Sequence, residues 1–393
     1  MIVSVPPSKS VTQRAIVLAA LGESPCVVEC PLDCDDSRAM VAGLRALGVS
    51  VDDEAETWTV RPPARLRAPS ITLLLGNAGT AVRFITGLAP VVTGSYVVDG
   101  HLAMRRRPMP ALLSALRGLG VYVEERGGPG CPPVALDGRA VDSRGRVRAR
   151  IVAGLSSQEL SALLLMGAGL PGGIDIEVVG SVPSRPYVDL TLGVMERFGV
   201  RVERRGGAFR VWPGGPRATR FRVEGDWSSA SYPLAAGFLT GRRVEVSNVA
   251  PDSAQGDRAF PELLESIVSG VGRRIDLRDA PDLAPTVAAC ALFADGETTI
   301  VGAEHLRVKE SDRIAVLCRE LVKLGARAEE RVDGLTIRPG PLRGGVELDP
   351  ERDHRMAMAF GLVGLRVPGV TVRDAGCVSK SYPDFWRMLE TFR

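Results

Sequence analysis

Only four of the chain's 49 basic residues are lysines, Lys9, Lys309, Lys323 and Lys380; the other 45 are arginines. A lysine ammonium is compact and can surrender its proton, whereas a guanidinium stays charged at any working pH. Where arginine otherwise supplies positive charge, a retained lysine points to proton transfer or close contact with an anion. Three of the four share a setting: Ser8-Lys9-Ser10, Lys309-Glu310-Ser311-Asp312-Arg313 and Ser379-Lys380-Ser381 each place a serine within two positions. Lys323, in Leu321-Val322-Lys323-Leu324-Gly325, lacks that setting and reads as an exposed helix residue.

The densest charge run is Arg307-Val308-Lys309-Glu310-Ser311-Asp312-Arg313. One reading is an exposed helix start with a Glu310–Arg313 pair worth a few tenths of a kcal/mol. The other takes Asp282, which precedes the apolar stretch Val287 to Phe293, as a partly buried partner of Lys309; with Glu310 this makes a proton-transfer set. Near the N-terminus, Arg14 follows Ser10 by one helical turn, so Lys9, Ser10 and Arg14 can meet one phosphate or carboxylate. Leu75-Gly76-Asn77-Ala78-Gly79-Thr80-Ala81-Val82-Arg83 reads as strand, glycine loop and helix start, with a spacing that is neither a P-loop nor a Rossmann fingerprint. Met104-Arg105-Arg106-Arg107-Pro108 reads either as a solvated loop or as a carboxylate clamp.

A recurring element positions these groups. Five helix-like segments end in a glycine that leads into a strand, at Gly48, Gly120, Gly199, Gly270 and Gly325, as expected for a helix stopped by a left-handed C′ residue. Gly22 is read as the stop of the first helix, and a sixth unit is expected to close over Phe385 to Phe392. Small polar clusters precede the helices: Ser8-Lys9-Ser10, Asn77 to Thr80, Ser156-Ser157-Gln158, Ser184-Arg185, Ser228 to Ser231, Lys309 to Asp312 and Asp353-His354-Arg355. Capping alone explains any one of them, at about 1 kcal/mol each. A helix N-terminus also offers free N–H groups and a positive dipole end, so added lysine or arginine makes an anion site.

Length and composition, 393 residues and 45% hydrophobic, suit two or three domains with large cores. A net charge of +3 with only 5% aromatic residues leaves neither a basic stripe nor a stacking platform, which argues against nucleic acid and for small-molecule partners. The longest near-apolar stretch, Leu160 to Pro171, is too short to span a bilayer, and Met1 to Val5 is too short for a signal h-region, so no membrane role and a cytoplasmic location are expected. Seven cysteines without a signal peptide suit reduced thiols. The spacing of Cys26, Cys30 and Cys34 invites a metal reading, but a fourth ligand is lacking nearby and packing is preferred; neither metal nor cofactor is expected.

Ten motifs occur in order: P-S-K-S-x-x-x-R, L-G-N-A-G-T-x-x-R, the arginine of R-R-P, L-S-S-Q, S-R-P-Y, D-W-S-S-A-S-Y, P-D-x-x-P, L-R-V-K-E-S-D-R, D-H-R-M-A-M and the lysine of V-S-K-S-Y-P-D-F. Together they span nearly the whole chain, which resembles the 5-enolpyruvylshikimate-3-phosphate (EPSP) synthase family. The resemblance implies an α/β fold, a two-lobed inside-out α/β barrel of six βαβαββ-type repeats, three per lobe. Residues 1–8 and 226–393 would form the lobe containing both termini, with Asp282, Lys309-Arg313, Asp353-Arg355 and Lys380. Residues 9–225 would form the second, with Asn77-Arg83, Arg107, Ser156-Gln158 and Ser184-Tyr187, and the active site would occupy the interlobe cleft.

The same resemblance implies transfer of the enolpyruvyl group of phosphoenolpyruvate to the 5-hydroxyl of shikimate 3-phosphate, releasing phosphate by addition and elimination through a tetrahedral intermediate. This is a step of the shikimate pathway leading to chorismate and the aromatic amino acids, carried out by a cytoplasmic monomer without cofactor or metal. Shikimate 3-phosphate would be held by Lys9, Ser10, Arg14, Ser156, Ser157, Gln158, Ser184, Tyr187, Asp282, His305 and Lys309. Phosphoenolpyruvate would meet Lys9, Asn77, Gly79, Thr80, Arg107, Gln158, Arg313, Arg355 and Lys380. Asp282 with Lys309 would take the hydroxyl proton, and Glu310 with Lys9 would protonate the methylene.

Two positions depart from the family pattern. His305 stands where some relatives have asparagine, so ligand contact, a place behind the ligand and simple exposure are all open. Phe84 stands where some carry proline, which leaves glyphosate sensitivity open. Among competing readings, the sister UDP-N-acetylglucosamine enolpyruvyl transferases usually carry a loop cysteine where this chain has Leu102. A related RNA-end-processing enzyme would need a nucleic-acid patch, and a non-catalytic phosphosugar-binding protein would lack the acid/base set.

Overall fold

The computed structural model describes residues 1–54, 56–142, 145–154, 156–270 and 274–393. Leu155 of the L-S-S-Q motif and Val271, expected to open the strand after Gly270, lie outside the described residues. The chain divides into two compact units, Met1–Pro6 with Gly225–Arg393, and Pro7–Glu224. Each has its own hydrophobic core.

One sheet pattern recurs four times: a first strand parallel to a second, which is antiparallel to a third, which is antiparallel to a fourth. In the unit Pro7–Glu224 it is built from Arg220–Arg222, Cys26–Glu29, Thr57–Arg61 and Ser50–Asp52; from Leu73–Leu74, Ser95–Asp99, Val134–Asp137 and Tyr122–Glu125; and from Val147–Val152, Ile174–Val179, Ala208–Val211 and Val202–Arg205. The unit with both termini has one such sheet, Arg274–Asp276, Thr298–Val301, Gly334–Arg338 and Arg327–Arg331. It also has two parallel pairs that correspond to the parallel half of the pattern, Ile2–Val3 with Glu245–Val246 and Glu347–Leu348 with Thr371–Val372. Strand burial alternates, as in Val147–Val152, because one face of each sheet covers a core and the other meets water.

Helices of two kinds alternate along the chain. Lys9–Ala20, Gly79–Gly87 and Ser157–Ala168 are buried almost all round, as are Trp227–Thr240, Ala284–Ala291 and His354–Val363 in the other unit. Between them come helices with one wet face, such as Asp35–Ala46 and Arg313–Lys323. Helices therefore fill the interior and sheets lie outside them, the inside-out arrangement. A helix apolar on every side has nowhere else to go: each buried Leu, Ile or Val contributes about 1.5–3 kcal/mol by leaving water. The stretch Leu160 to Pro171 finds its place this way, most of it in the core helix Ser157–Ala168. No helix of the described residues is long and apolar enough to cross a membrane.

The expected helix stops are observed. Gly48, Gly120, Gly199, Gly270 and Gly325 all have φ between +70° and +98°. Gly22 does not: the first helix ends on Leu21 in the ordinary right-handed region, its N–H still bonded back into the last turn. Cys26 packs inside its strand and Cys34 precedes the helix Asp35–Ala46, both buried as free thiols, while Cys30 is partly exposed.

Close packing of the inner helices yields a testable contrast. A Cβ at Gly87 would lie 2.9 Å from the Ala162 Cβ of the neighbouring inner helix, whereas a Cβ at Gly193, on the outer helix Pro186–Arg197, would meet nothing within 4 Å. Helix propensity alone favours alanine by about 1 kcal/mol at either place, and overpacking costs about 1–3 kcal/mol. Gly193→Ala is thus expected to raise the urea midpoint and Gly87→Ala to lower it, both with unchanged m-value.

Candidate active site

In the unit Pro7–Glu224, the three inner helices begin at the motifs singled out above. Ser8 caps the first, its Oγ accepting from the Val11 N–H, and Lys9 is its first residue. Lys9 Nζ lies 3.0 Å from Asp36 Oδ2, a buried carboxylate in the first turn of the next helix. Arg14 is fully enclosed: Nε donates to Thr191 Oγ1 at 2.8 Å, Nη1 to the Ser10 carbonyl at 2.9 Å and Nη2 to the Tyr187 carbonyl at 3.2 Å. Its guanidinium lies over the Phe84 ring, 5.4 Å from the centroid. Burial pulls the Arg14 pKa down to about 10, so the side chain stays charged at neutral pH. Ser184 holds φ +52°, which turns the chain sharply into the helix bearing Tyr187.

Arg107 is the one member of its triplet turned inward. Arg105 pairs with Asp99 at 2.5 Å and Arg106 is exposed, while Arg107 is buried and donates from Nη1 to the Asn77 carbonyl at 3.3 Å and Oδ1 at 3.5 Å. Arg83 ties this segment down, donating to the Gly79 carbonyl at 3.1 Å and the Pro108 carbonyl at 2.8 Å. A Cβ at Gly79 would come within 2.7 Å of Arg107 Nη2, so a side chain there would displace that guanidinium. Ser156 caps the third inner helix, accepting from the Gln158 N–H, Ser157 is buried at its first position, and Gln158 Nε2 donates to Thr80 Oγ1 at 3.1 Å. Leu102 is 76% exposed.

In the unit with both termini, the charges form one network. Asp282 sits in the turn Pro281–Leu283 that leads into an inner helix; its Oδ1 accepts from Arg313 Nη1 at 2.9 Å and lies 3.7 Å from Lys309 Nζ, and its Oδ2 is 3.0 Å from Arg355 Nη2. Burial pushes this carboxyl's pKa up, but Arg355, Lys309 and Arg313 outweigh burial and hold it well below the usual carboxylate range. Glu310 accepts from Lys380 Nζ at 2.9 Å through Oε1 and from Arg313 Nη2 at 3.1 Å through Oε2. Asp353 caps the helix His354–Val363 and takes Arg313 Nε at 2.7 Å. Arg313 is the hub, 1% exposed among three carboxylates. Burial lowers its pKa, and Asp353, Glu310 and Asp282 more than restore it.

The run Arg307 to Arg313 does lead into a helix, capped by Asp312, and holds the Glu310–Arg313 pair, but Arg313 is buried within the network rather than solvated. Lys323 is the exposed member of its class, 2.6 Å from Glu320 on the final turn of its helix. His305 is buried rather than exposed, and neither imidazole nitrogen has a hydrogen-bond partner among the described residues. Asp36 and Thr191 are partners of Lys9 and Arg14 that the sequence motifs did not mark, and Phe84, legible in the sequence only as a departure from the family pattern, lies under the Arg14 guanidinium. Only the Asp35-Asp36 helix start carried a local signal, an acidic first turn.

Three comparisons bear on this arrangement. A sequence model of the family EPSP synthase (3-phosphoshikimate 1-carboxyvinyltransferase) matches residues 1–389. The chain is 40% identical over 400 residues to the 3-phosphoshikimate 1-carboxyvinyltransferase of Methanothermobacter thermautotrophicus, covering 98% of this chain and 93% of that one. It is 40% identical over 392 residues to that of Rhizobium leguminosarum bv. trifolii, covering 98% and 92%. Its fold is similar to the solved EPSP synthase of Acinetobacter baumannii, with TM-score 0.79, 25% identity and coverage of 100% and 95% of the two chains.

His305 supplies a pH prediction. Burial first, then Lys309 and Arg313, bring its pKa down from 6.5 to about 4 against the pull of Asp282. The unfolded chain then binds the proton more tightly, so stability falls as pH drops from 6.5 to 4 and levels off below. The loss is roughly 3 kcal/mol at most, at 1.36 kcal/mol per unit. The unfolding free energy of wild type minus that of His305→Gln, measured across that range, should decrease as pH falls; a constant difference would show an ordinary imidazole.

Proposed function

The chain belongs to the EPSP synthase family and transfers the enolpyruvyl group of phosphoenolpyruvate to shikimate 3-phosphate, and we propose how its own side chains divide that work. Ser10, Arg14, Ser156, Ser157, Ser184 and Tyr187 take the phosphate and ring hydroxyls of shikimate 3-phosphate, with Lys9, His305 and Lys309 beside them. Asn77, Gly79, Thr80, Arg107, Arg313, Arg355, Lys380 and Lys9 take phosphoenolpyruvate, and Gln158 contacts both. The substrates are small, soluble anions, and the reading takes the enzyme to work as a cytoplasmic monomer.

The observation that carries the assignment of roles is a pair of carboxylates with separate lysines. Asp282 faces Lys309 and Glu310 faces Lys380, while Arg313 touches both acids and keeps their positions fixed. Asp282 with Lys309 takes the proton of the 5-hydroxyl as its oxygen bonds to C2 of phosphoenolpyruvate. A carboxylate this acidic accepts that proton only as the C–O bond forms and the hydroxyl itself becomes acidic. Glu310, with Lys9, gives a proton to the methylene carbon, producing a tetrahedral intermediate. The methyl then returns its proton to Glu310, the bond from C2 to the phosphate oxygen breaks, and phosphate leaves with that electron pair and takes up the proton removed from the hydroxyl. Arg355, Arg107 and Lys380 supply fixed positive charge to the carboxylate and leaving phosphate, an environment that needs no reorganisation during the reaction.

Phosphate release should require shikimate 3-phosphate and phosphoenolpyruvate together, and release with UDP-N-acetylglucosamine in place of the former would overturn the substrate assignment. Lys309→Arg keeps the charge near Asp282 and removes the titratable amine. Its kcat is expected to fall at least about 100-fold, the lower end of what a positioned acid or base contributes; near-normal turnover would refute the proton-transfer role.

A further inference from the structure

Asp257 lies in the short turn Gly256–Ala259 and is 1% exposed. Its Oδ2 accepts the Ser228 hydroxyl, its Oδ1 has no hydrogen-bond partner, and no cation pairs with it among the described residues. A buried carboxylate with so little compensation is destabilising. What it does is visible one bond away. Ser228 Oγ also accepts from Arg355 Nη2 at 3.3 Å, and the same guanidinium nitrogen lies 3.0 Å from Asp282 Oδ2.

A serine hydroxyl has one proton and two lone pairs. Asp257 takes the proton, so the lone pairs of Ser228 face Arg355 and oppose the pull of Asp282 on that guanidinium. We propose that Asp257 is a positioning residue that acts through Ser228 to aim Arg355 at the phosphoenolpyruvate anion. The inference rests on the assignment of Arg355 to phosphoenolpyruvate made above. Ser228 and Asp226 face Asp257 from the start of one inner helix, Arg355 from a second, and Asp282 from the turn before the third. Burial, and then the charges of Asp282 and Asp226, push the Asp257 carboxyl up to about 7 against Arg355 and Ser228. The pocket thus tolerates a neutral side chain, which makes asparagine a fair replacement.

Steady-state kinetics with each substrate varied in turn tests this. Asp257→Ala and Ser228→Ala should each raise KM for phosphoenolpyruvate about tenfold and lower kcat by less than that, with KM for shikimate 3-phosphate within about twofold. The double variant should be no worse than the weaker single one, because both act through one hydrogen bond. Asp257→Asn retains an acceptor for Ser228 and should restore KM to within about threefold of wild type. Additive effects, a parallel rise in both KM values that follows a loss of Tm, or failure of asparagine to rescue would each overturn the proposal in favour of a purely structural role. Arg355→Ala separates the two layers. If it leaves KM for phosphoenolpyruvate unchanged, the Arg355 assignment falls and the proposal with it; if it raises that KM while the Asp257 variants do nothing, only the proposal falls.

Discussion

A guanidinium cannot shed its proton, so burying Arg313 obliges the fold to bring negative charge to it. Three carboxylates answer, each from a different stretch of chain: Asp282 from the turn before an inner helix, Glu310 from the loop just ahead of Arg313, and Asp353 from the cap of another inner helix. None of the three can move without uncovering the others' partner. Around this hub stand Lys309, Lys380 and Arg355, and Arg355 is linked through Ser228 to a fourth carboxyl, Asp257. In the proposed roles, the cations at the edge of this network are the groups that meet the anionic substrates.

The inside-out layering follows from a second constraint. An inner helix buried on every side still has free N–H groups at its first turn, and these must find acceptors. Ser8, Ser156, Asp226 and Asp353 each cap one such helix with a side-chain oxygen. Capping residues and the residues proposed to bind substrate are consequently neighbours in sequence: Ser8 beside Lys9 and Ser10, Ser156 beside Ser157 and Gln158, Asp353 two positions before Arg355. Function borrows the place where the fold already has to put polar groups.

That coincidence explains how much could be read from sequence. The left-handed stops at Gly48, Gly120, Gly199, Gly270 and Gly325 were legible because the conformation needs glycine and the signal is local. Gly22 was not a stop of this kind, since a helix can also end on a right-handed residue whose N–H bonds back into the last turn. The motif clusters were legible for the reason just given. Partners brought from elsewhere in the chain were hidden. Asp36 meets Lys9, Thr191 meets Arg14, and the Phe84 ring lies under that same guanidinium, yet none shares a local pattern with the group it serves. Of Arg105, Arg106 and Arg107, only packing against Gly79 and Asn77 decides that the last turns inward.

The scarcity of lysine takes on a physical meaning in this setting. Arg313, at the centre, uses a planar fork to address three acids simultaneously, which a single ammonium cannot do with comparable geometry. Lys309 and Lys380 occupy the edge of the network, with side chains 22% and 10% exposed, each toward one carboxylate. In the proposed roles these edge groups change partners when substrate arrives, and a compact ammonium on a flexible stem does so with little reorganisation. Lys323, which pairs with Glu320 on an open helix face, has neither constraint. On the proposed reading Arg313 fixes the frame, and Lys309 and Lys380 stand where that frame yields to a ligand or a proton.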